Sequence, residues 1–279
     1  MADALLGKTE IDAVSQELIL GAMVQSYLIQ EAVLLPTVNN YVAPMGVDKL
    51  KIPRAGGFTV GNKTENTAVD AQIITYATDD LDLDKHKVIQ ILVEKFALKQ
   101  SQVSVLSDIA MRAGKGLALQ LDADIIAALL LTSAAAPDHR IAFAGASIAQ
   151  VDILEAKRLL KVQNVEAREC YLGINPTEEK AMLQIADFVR SDAYGSAQGL
   201  QLGVLGQIYG TKVIVHNSFT AGNAVMWHPS HVACAVQQSV EFDQDKQLEH
   251  LATRLSFDTI YGVKVLDSGK RGVLLGSAI

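Results

Sequence analysis

Side chains able to hold a metal or move a proton are sparse in this chain, and two groupings stand out by their spacing. His228-x-x-His231-x-x-Cys234 puts three zinc-binding residue types at i, i+3 and i+6, positions that share a face if the segment is helical. It lacks the glutamate of H-E-x-x-H, and Pro229 begins the helix just after His228, so a capping or surface role is the favoured reading. Asp79, Asp80, Asp82 and Asp84 form an acidic run of the kind that attracts a cation. Leu81 and Leu83 alternate with them, and the favoured reading is the solvated face of a strand. Gly199, Gly203, Gly206 and Gly210 have the wrong spacing for a dinucleotide loop. Gly114-Lys115-Gly116 falls inside a helical pattern without a Ser or Thr after the lysine, and no G-x-S-x-G elbow occurs. No catalytic residue, cofactor or metal site is therefore expected. A metal-dependent enzyme built on His228 and His231 is the lesser alternative.

Composition narrows the classes further. The chain has 279 residues, 49% hydrophobic and 20% charged, with mean hydropathy +0.21, enough apolar material for one or two packed domains. A formal charge of −7 argues against tight sequence-independent nucleic-acid binding, which draws on Lys and Arg releasing counterions from phosphates. Any contact with DNA is expected to be loose. Cys170 and Cys234 are too few for a disulfide framework and are expected to be buried free thiols in a reducing compartment. The opening MADALLGKTEID shows no secretory signal, and no apolar run approaches the ~20 residues that cross a bilayer. A soluble product without a membrane partner is the expectation.

The elements that carry these residues are organised around Gln102 to Thr132. There Leu106, Ala110, Ala113, Leu117, Leu121, Ile125 and Ala128 recur at helical spacing and predict a helix roughly 45 Å long. Gly114 and Gly116 mark a shallow bend or a close neighbour at its mid-length. Upstream, Ile11, Val14, Leu18, Ala22, Leu28, Ala32 and Leu35 describe an amphipathic arm ended by Pro36. Lys49 to Pro53 alternates at strand period, a polar stretch follows, and alternation resumes from Ile74 through Val93, so residues 47 to 95 read as a long hairpin with a wide polar tip. Two strands alone are marginally stable, so such an arm needs another surface, and a neighbouring copy is the preferred one. Self-assembly is the first functional expectation.

Beyond the long helix, Ser133 to Ala149 reads as a crossing loop, followed by a helix from Gln150 to Val162. A short strand ends at Asn175-Pro176, where Asn175 caps a helix bearing Met182, Ile185, Ala186 and Val189. Leu202 to Gly210 and Val213 to Asn217 read as two strands joined at Gly210. Alternation returns over Val236 to Phe242 and Leu251 to Leu266. Residues 136 to 250 are thus a mixed α/β unit inserted before a final β segment.

This order of parts resembles the major capsid protein of tailed bacteriophages, whose shell fold is shared with encapsulins and the herpesvirus capsid floor. QEAVLLPTVNNY at Gln30 to Tyr41, followed by KLKIPR at Lys49 to Arg54, resembles the arm entering the extended loop. Gly173-Ile174-Asn175-Pro176, the run Leu205 to Val215 with Asn217, and Met226-Trp227-His228-Pro229 before an alanine-rich helix resemble the inserted axial domain. Tyr261 to Leu266 resembles the return into the peripheral domain. The resemblance implies an α+β fold: an N-terminal arm over 1–46, an extended β-hairpin loop over 47–83, a peripheral domain over 84–135 and 251–279 with the long helix as its spine, and an axial domain over 136–250. It implies a structural role, with copies joining as hexamers and pentamers into an icosahedral shell around a double-stranded DNA genome. Scaffolding, portal and decoration proteins are the implied partners, with assembly in the host cytoplasm and residence in the virion. Arg54, Phe58, Lys63 and Glu65 on the extended loop are the expected inter-subunit contacts. Some relatives join subunits by an isopeptide bond between a loop lysine and a peripheral-domain asparagine. Lys63 has the first position, but no asparagine follows Asn223, so no covalent cross-link is implied. The hairpin begins near residue 47, so a separate scaffolding protein or a self-sufficient arm is expected. An encapsulin-type compartment, which encloses an enzyme, is the alternative.

Overall fold

The structure is a computed structural model that describes residues 21–29, 31–58, 60, 62–63, 65–66, 71, 73–74, 76–94, 105–145, 147–166, 169–184, 206–249 and 251–276. Its longest helix, α2, spans Val105–Leu129 over 25 residues. Ala110, Ala113, Leu117, Leu121 and Ile125 lie buried along it, the face the periodicity identifies. A helix over residues 21–29, α1, crosses it at Gly114. A Cβ at Gly114 would lie 2.6 Å from Tyr27 Cβ and 3.0 Å from the Val24 carbonyl oxygen, so only glycine permits this approach. The mid-helix glycine thus marks a close neighbour. Of the expected arm, residues 1–20 and Gln30 lie outside the described residues, as do Gln102 to Ser104 of the helix.

Among the described residues, twelve strands form three sheets. The first has four strands in the order β1 (Asn39–Val42), β10 (Val232–Gln247), β11 (Ala252–Val265), β4 (Lys85–Glu94). The second has six, in the order β5 (Arg140–Ala142), β12 (Gly272–Gly276), β9 (Asn223–Trp227), β6 (Tyr171–Ile174), β8 (Thr211–Val215), β7 (Gln207–Ile208). The third is the two-stranded hairpin of β2 (Lys49–Ala55) and β3 (Tyr76–Asp82), paired in register from Lys49 with Asp82 to Ala55 with Tyr76. Helices α3 (Gln150–Val162) and α4 (Pro176–Leu183) belong to the six-stranded unit. Asn175 caps α4 through a 3.0 Å bond accepted from the Thr177 amide, and Pro176 fills the first turn. Ile185, Ala186 and Val189, expected on this helix, lie outside the described residues, as do Leu202 to Leu205.

Three sequence assignments are corrected by the hydrogen-bond ladders. The alanine-rich stretch after Pro229 is strand β10, because it pairs with β1 on one side and β11 on the other. Cys234 packs into the core shared with α2, while Ala233 and Ala235 pack under Leu81 of the hairpin. Buried on both faces, the strand shows no polar alternation. Sheet membership also departs from the expected 136–250 and 251–279 division. β10 belongs to the four-stranded sheet through Gln247, whereas β12 returns to the six-stranded sheet between β5 and β9. The stretch from residue 85, read as part of the hairpin, is the β4 edge of the four-stranded sheet.

One large core lies between α1, α2 and the four-stranded sheet, and a second between the six-stranded sheet, α3 and α4. The segment after α1 joins them. The Asp122 carboxylate on α2 is fully buried and accepts the Val33 and Leu34 amides, each at 3.1 Å. His216 Nε2, at the end of β8, stands 3.7 Å from it. Burial pushes the Asp122 carboxyl above its ordinary pKa, against the two amides and His216, which favour the charged form. On the other side, Trp227 Nε1 of β9 donates to the Thr37 carbonyl at 3.3 Å.

The crossing between the two sheets holds two buried histidines. His139 Nδ1 lies 2.9 Å from the Gly272 carbonyl, and His231 Nε2 lies 3.4 Å from that of Leu129. The second nitrogen of each ring has no partner among the described residues, and a proton added to His231 Nδ1 would be buried without an acceptor. Burial lowers the His231 pKa from 6.5 to about 4. The unfolded imidazole takes its proton near 6.5 and the folded one only near 4, so stability is intact above pH 6.5 and falls as the pH drops between these values. The expected loss is about 3 kcal/mol by pH 4. Urea unfolding of unassembled chain across this range measures it, and a His231→Gln variant should lose stability less steeply. Parallel curves for the two proteins would contradict this role.

Candidate assembly surfaces

The hairpin is mounted on a floor of small side chains. Ala233, Ala235 and Gly262 lie on adjacent strands of the four-stranded sheet, with Ala235 opposite Gly262. Leu81 is fully buried there with Ala43 and Leu266, and Leu50, Ile52 and Leu83 pack around it. A Cβ at Gly262 would meet the backbone of Asp82, with its carbonyl carbon at 3.0 Å, and Leu81 Cδ2 at 2.7 Å. A glycine is required where the hairpin base crosses the sheet. Lys49 and Asp82 then close the base with a 3.0 Å exposed ion pair. The hydrogen bond from Lys49 and its charge hold the Asp82 carboxyl below its ordinary pKa.

Away from this mount the hairpin contributes nothing to the buried core among the described residues between Pro44 and Asp80. Its outer part instead shows large apolar side chains to solvent: Phe58 is 65% exposed, Val60 94% and Ile73 92%. Tyr76 is exposed beside them, and other large apolar side chains such as Val42, Leu131 and Leu248 are exposed elsewhere on the chain. Of the four expected contact residues, Phe58, Lys63 and Glu65 are exposed on this outer part. Arg54 is set apart from them, because its guanidinium is bound within the chain to Asp267. Asp79 also turns inward and accepts the Asp267 amide at 3.2 Å. Sequence reading missed Asp267, whose Asp-Ser-Gly context signals a turn but names no partner.

The groupings that suggested metal chemistry are drawn apart. Pro229–His231 is a single 3-10 turn that leads directly into β10, so the helical face assumed for His228, His231 and Cys234 does not form. His228 lies 3.1 Å from Glu169 and 2.7 Å from the Ser230 hydroxyl; His231 reaches the Leu129 carbonyl; Cys234 is in the core. Burial pushes the thiols of Cys170 and Cys234 up to about 12, leaving them protonated and inert. No group of three metal-binding side chains occurs among the described residues.

With a helical strut, a projecting hairpin and a separate α/β unit established, comparison with known proteins defines the class. A solved structure from Mycobacterium phage Che8 is similar with a TM-score of 0.67 and 22% identity, over 83% of this chain and 85% of that one. The capsid of cyanophage P-SCSP1u is similar with a TM-score of 0.71 and 15% identity, over 86% of both chains. A virus-like particle from Pyrococcus furiosus is similar with a TM-score of 0.63 and 13% identity, over 92% of this chain and 97% of that one. The fold is that of tailed-phage capsid shells. A family model described as phage capsid protein matches residues 82–273, and the chain belongs to that family. It is a structural, self-associating protein of the virion capsid and has no enzymatic role. No curated protein matches its sequence.

Proposed function

We propose that the chain is the major shell subunit of a tailed phage, arranged as hexamers and pentamers around packaged double-stranded DNA. The observation that carries this reading is the hairpin, anchored at its base and apolar at its exposed outer part, which suits it to lie across a neighbouring copy. Phe58, Lys63 and Glu65 are the proposed contacts there, and Arg54 supports them through its bond to Asp267. The four-stranded sheet with α1 and α2 serves as the peripheral domain. The six-stranded sheet with α3 and α4 serves as the axial domain at the centre of each ring, and its proposed limits are 139–231 and 272–276. Closed symmetry then multiplies modest interfaces into a stable shell. Scaffolding and portal proteins, and a decoration protein, are the proposed partners, with assembly in the host cytoplasm. The charge of −7 supports loose contact with DNA that must move during filling and release.

An encapsulin-type compartment is the second reading, favoured by the similarity to the Pyrococcus particle over 92% of this chain. The contents of purified native particles separate the two. Nuclease-protected double-stranded DNA is the expected content, and an enclosed protein without DNA would favour the compartment.

A further inference from the structure

The turn between β11 and β12 has an unusual backbone. Asp267, Ser268 and Gly269 have φ of 51°, 53° and 76° in succession, a left-handed run that L side chains adopt only where their surroundings hold them. One side of this turn is bound to the crossing between the sheets. The Leu266 amide donates to the His231 carbonyl at 2.8 Å, and the Ser133 amide donates to the Gly269 carbonyl at 3.1 Å. The other side is bound to the hairpin by both of its strands: Arg54 of β2 grips the Asp267 carboxylate, and Asp79 of β3 accepts the Asp267 amide. Arg271 Nε stands 3.6 Å from the same carboxylate, and Arg271 Nη1 donates to the Ser230 hydroxyl at 2.6 Å.

Among the described residues the hairpin is held to the body at its base, where Leu81 packs over Gly262 and Gln237 Nε2 donates to the Pro44 and Val47 carbonyls at 3.2 and 2.7 Å. Asp267 is a charged contact further along the hairpin, and a second fixed point defines an angle where the base alone does not. We propose that Asp267 is the tether that sets the angle of the hairpin against the body and so aims its exposed apolar part at a second copy of this chain. The second half of this proposal rests on the reading that the hairpin docks on a neighbour; the first half does not.

Asp267→Gly tests the tether cleanly, because glycine keeps the left-handed backbone while removing the carboxylate. Arg54→Ala removes the same contact from the hairpin side and leaves the turn intact. Spin labels on cysteines introduced at Lys63 and Lys246 report the angle in unassembled subunits, since the buried Cys170 and Cys234 do not compete for label. The parent protein should give one narrow distance distribution, and both variants a clearly broader one. An unchanged width in both variants would overturn the tether. Closed-shell yield should also fall about tenfold in each variant, the effect of weakening one orienting contact at every interface. Broadened distances with a normal shell yield would uphold the tether and sink the docking of the hairpin on a neighbour.

Discussion

Trp227→Ala lowers the unfolding free energy of the unassembled chain by about 4 kcal/mol, the expected cost of emptying a large buried aromatic site. Trp227 is fully buried on β9 of the six-stranded sheet, yet its ring belongs to the core beneath α2. It stacks on Tyr171 at 5.9 Å between ring centroids and packs tilted against Phe219 at 6.5 Å. Its indole nitrogen holds the Thr37 carbonyl. The substitution therefore opens a cavity, removes an aromatic cluster and loosens the segment that joins the two cores. Against a total stability of about 5–15 kcal/mol for a native protein, this is a large fraction. Trp227→Phe keeps the stacking and loses the hydrogen bond, so its cost should be smaller, about 1–2 kcal/mol. Urea unfolding followed by far-UV circular dichroism measures both. A loss under about 1 kcal/mol for the alanine variant would show that the joint lies elsewhere.

Replacing residues 56–75 with an Asn-Gly turn leaves a folded subunit that does not close into shells. The replacement joins Ala55 to Tyr76, the last pair of the hairpin ladder, and Asn-Gly suits a two-residue connection. No buried core residue among those described is removed, so the cost to folding is small, within about 1 kcal/mol. What is lost is Phe58, Val60 and Ile73 together with Lys63 and Glu65, the surface proposed to meet the neighbour. Thermal unfolding of the soluble subunit checks the first half of this result and sedimentation the second. Normal particles from the shortened chain would refute the role given to the hairpin.

Elements whose burial is one-sided were legible in the sequence. Leu117, Leu121 and Ile125 announce α2 because one face meets a core and the other meets water, and α3 runs from Gln150 to Val162 as its periodicity indicates. Asn175-Pro176 marks a cap because capping is local chemistry. β10 was misread because Val232 to Ala235 is covered on both faces and carries no alternation. The place of β12 was missed because strand pairing is a non-local choice: Val273 pairs with Met226 and Leu275 with Ile141. The proposed contact residues show the same division. The exposure of Phe58, Lys63 and Glu65 follows from their place in a polar stretch between alternating strands. Arg54 instead turns inward to a partner 213 residues away, and Asp122 finds the Leu34 amide across 88 residues, separations at which spacing carries no signal.

Electron microscopy of the particulate fraction from cells expressing this chain tests most directly whether it builds a shell from copies of itself. The expected result is closed particles whose walls resolve into rings of five and six subunits, each hairpin lying on an adjacent copy. Only dispersed single subunits, with the hairpin folded against its own body, would contradict it.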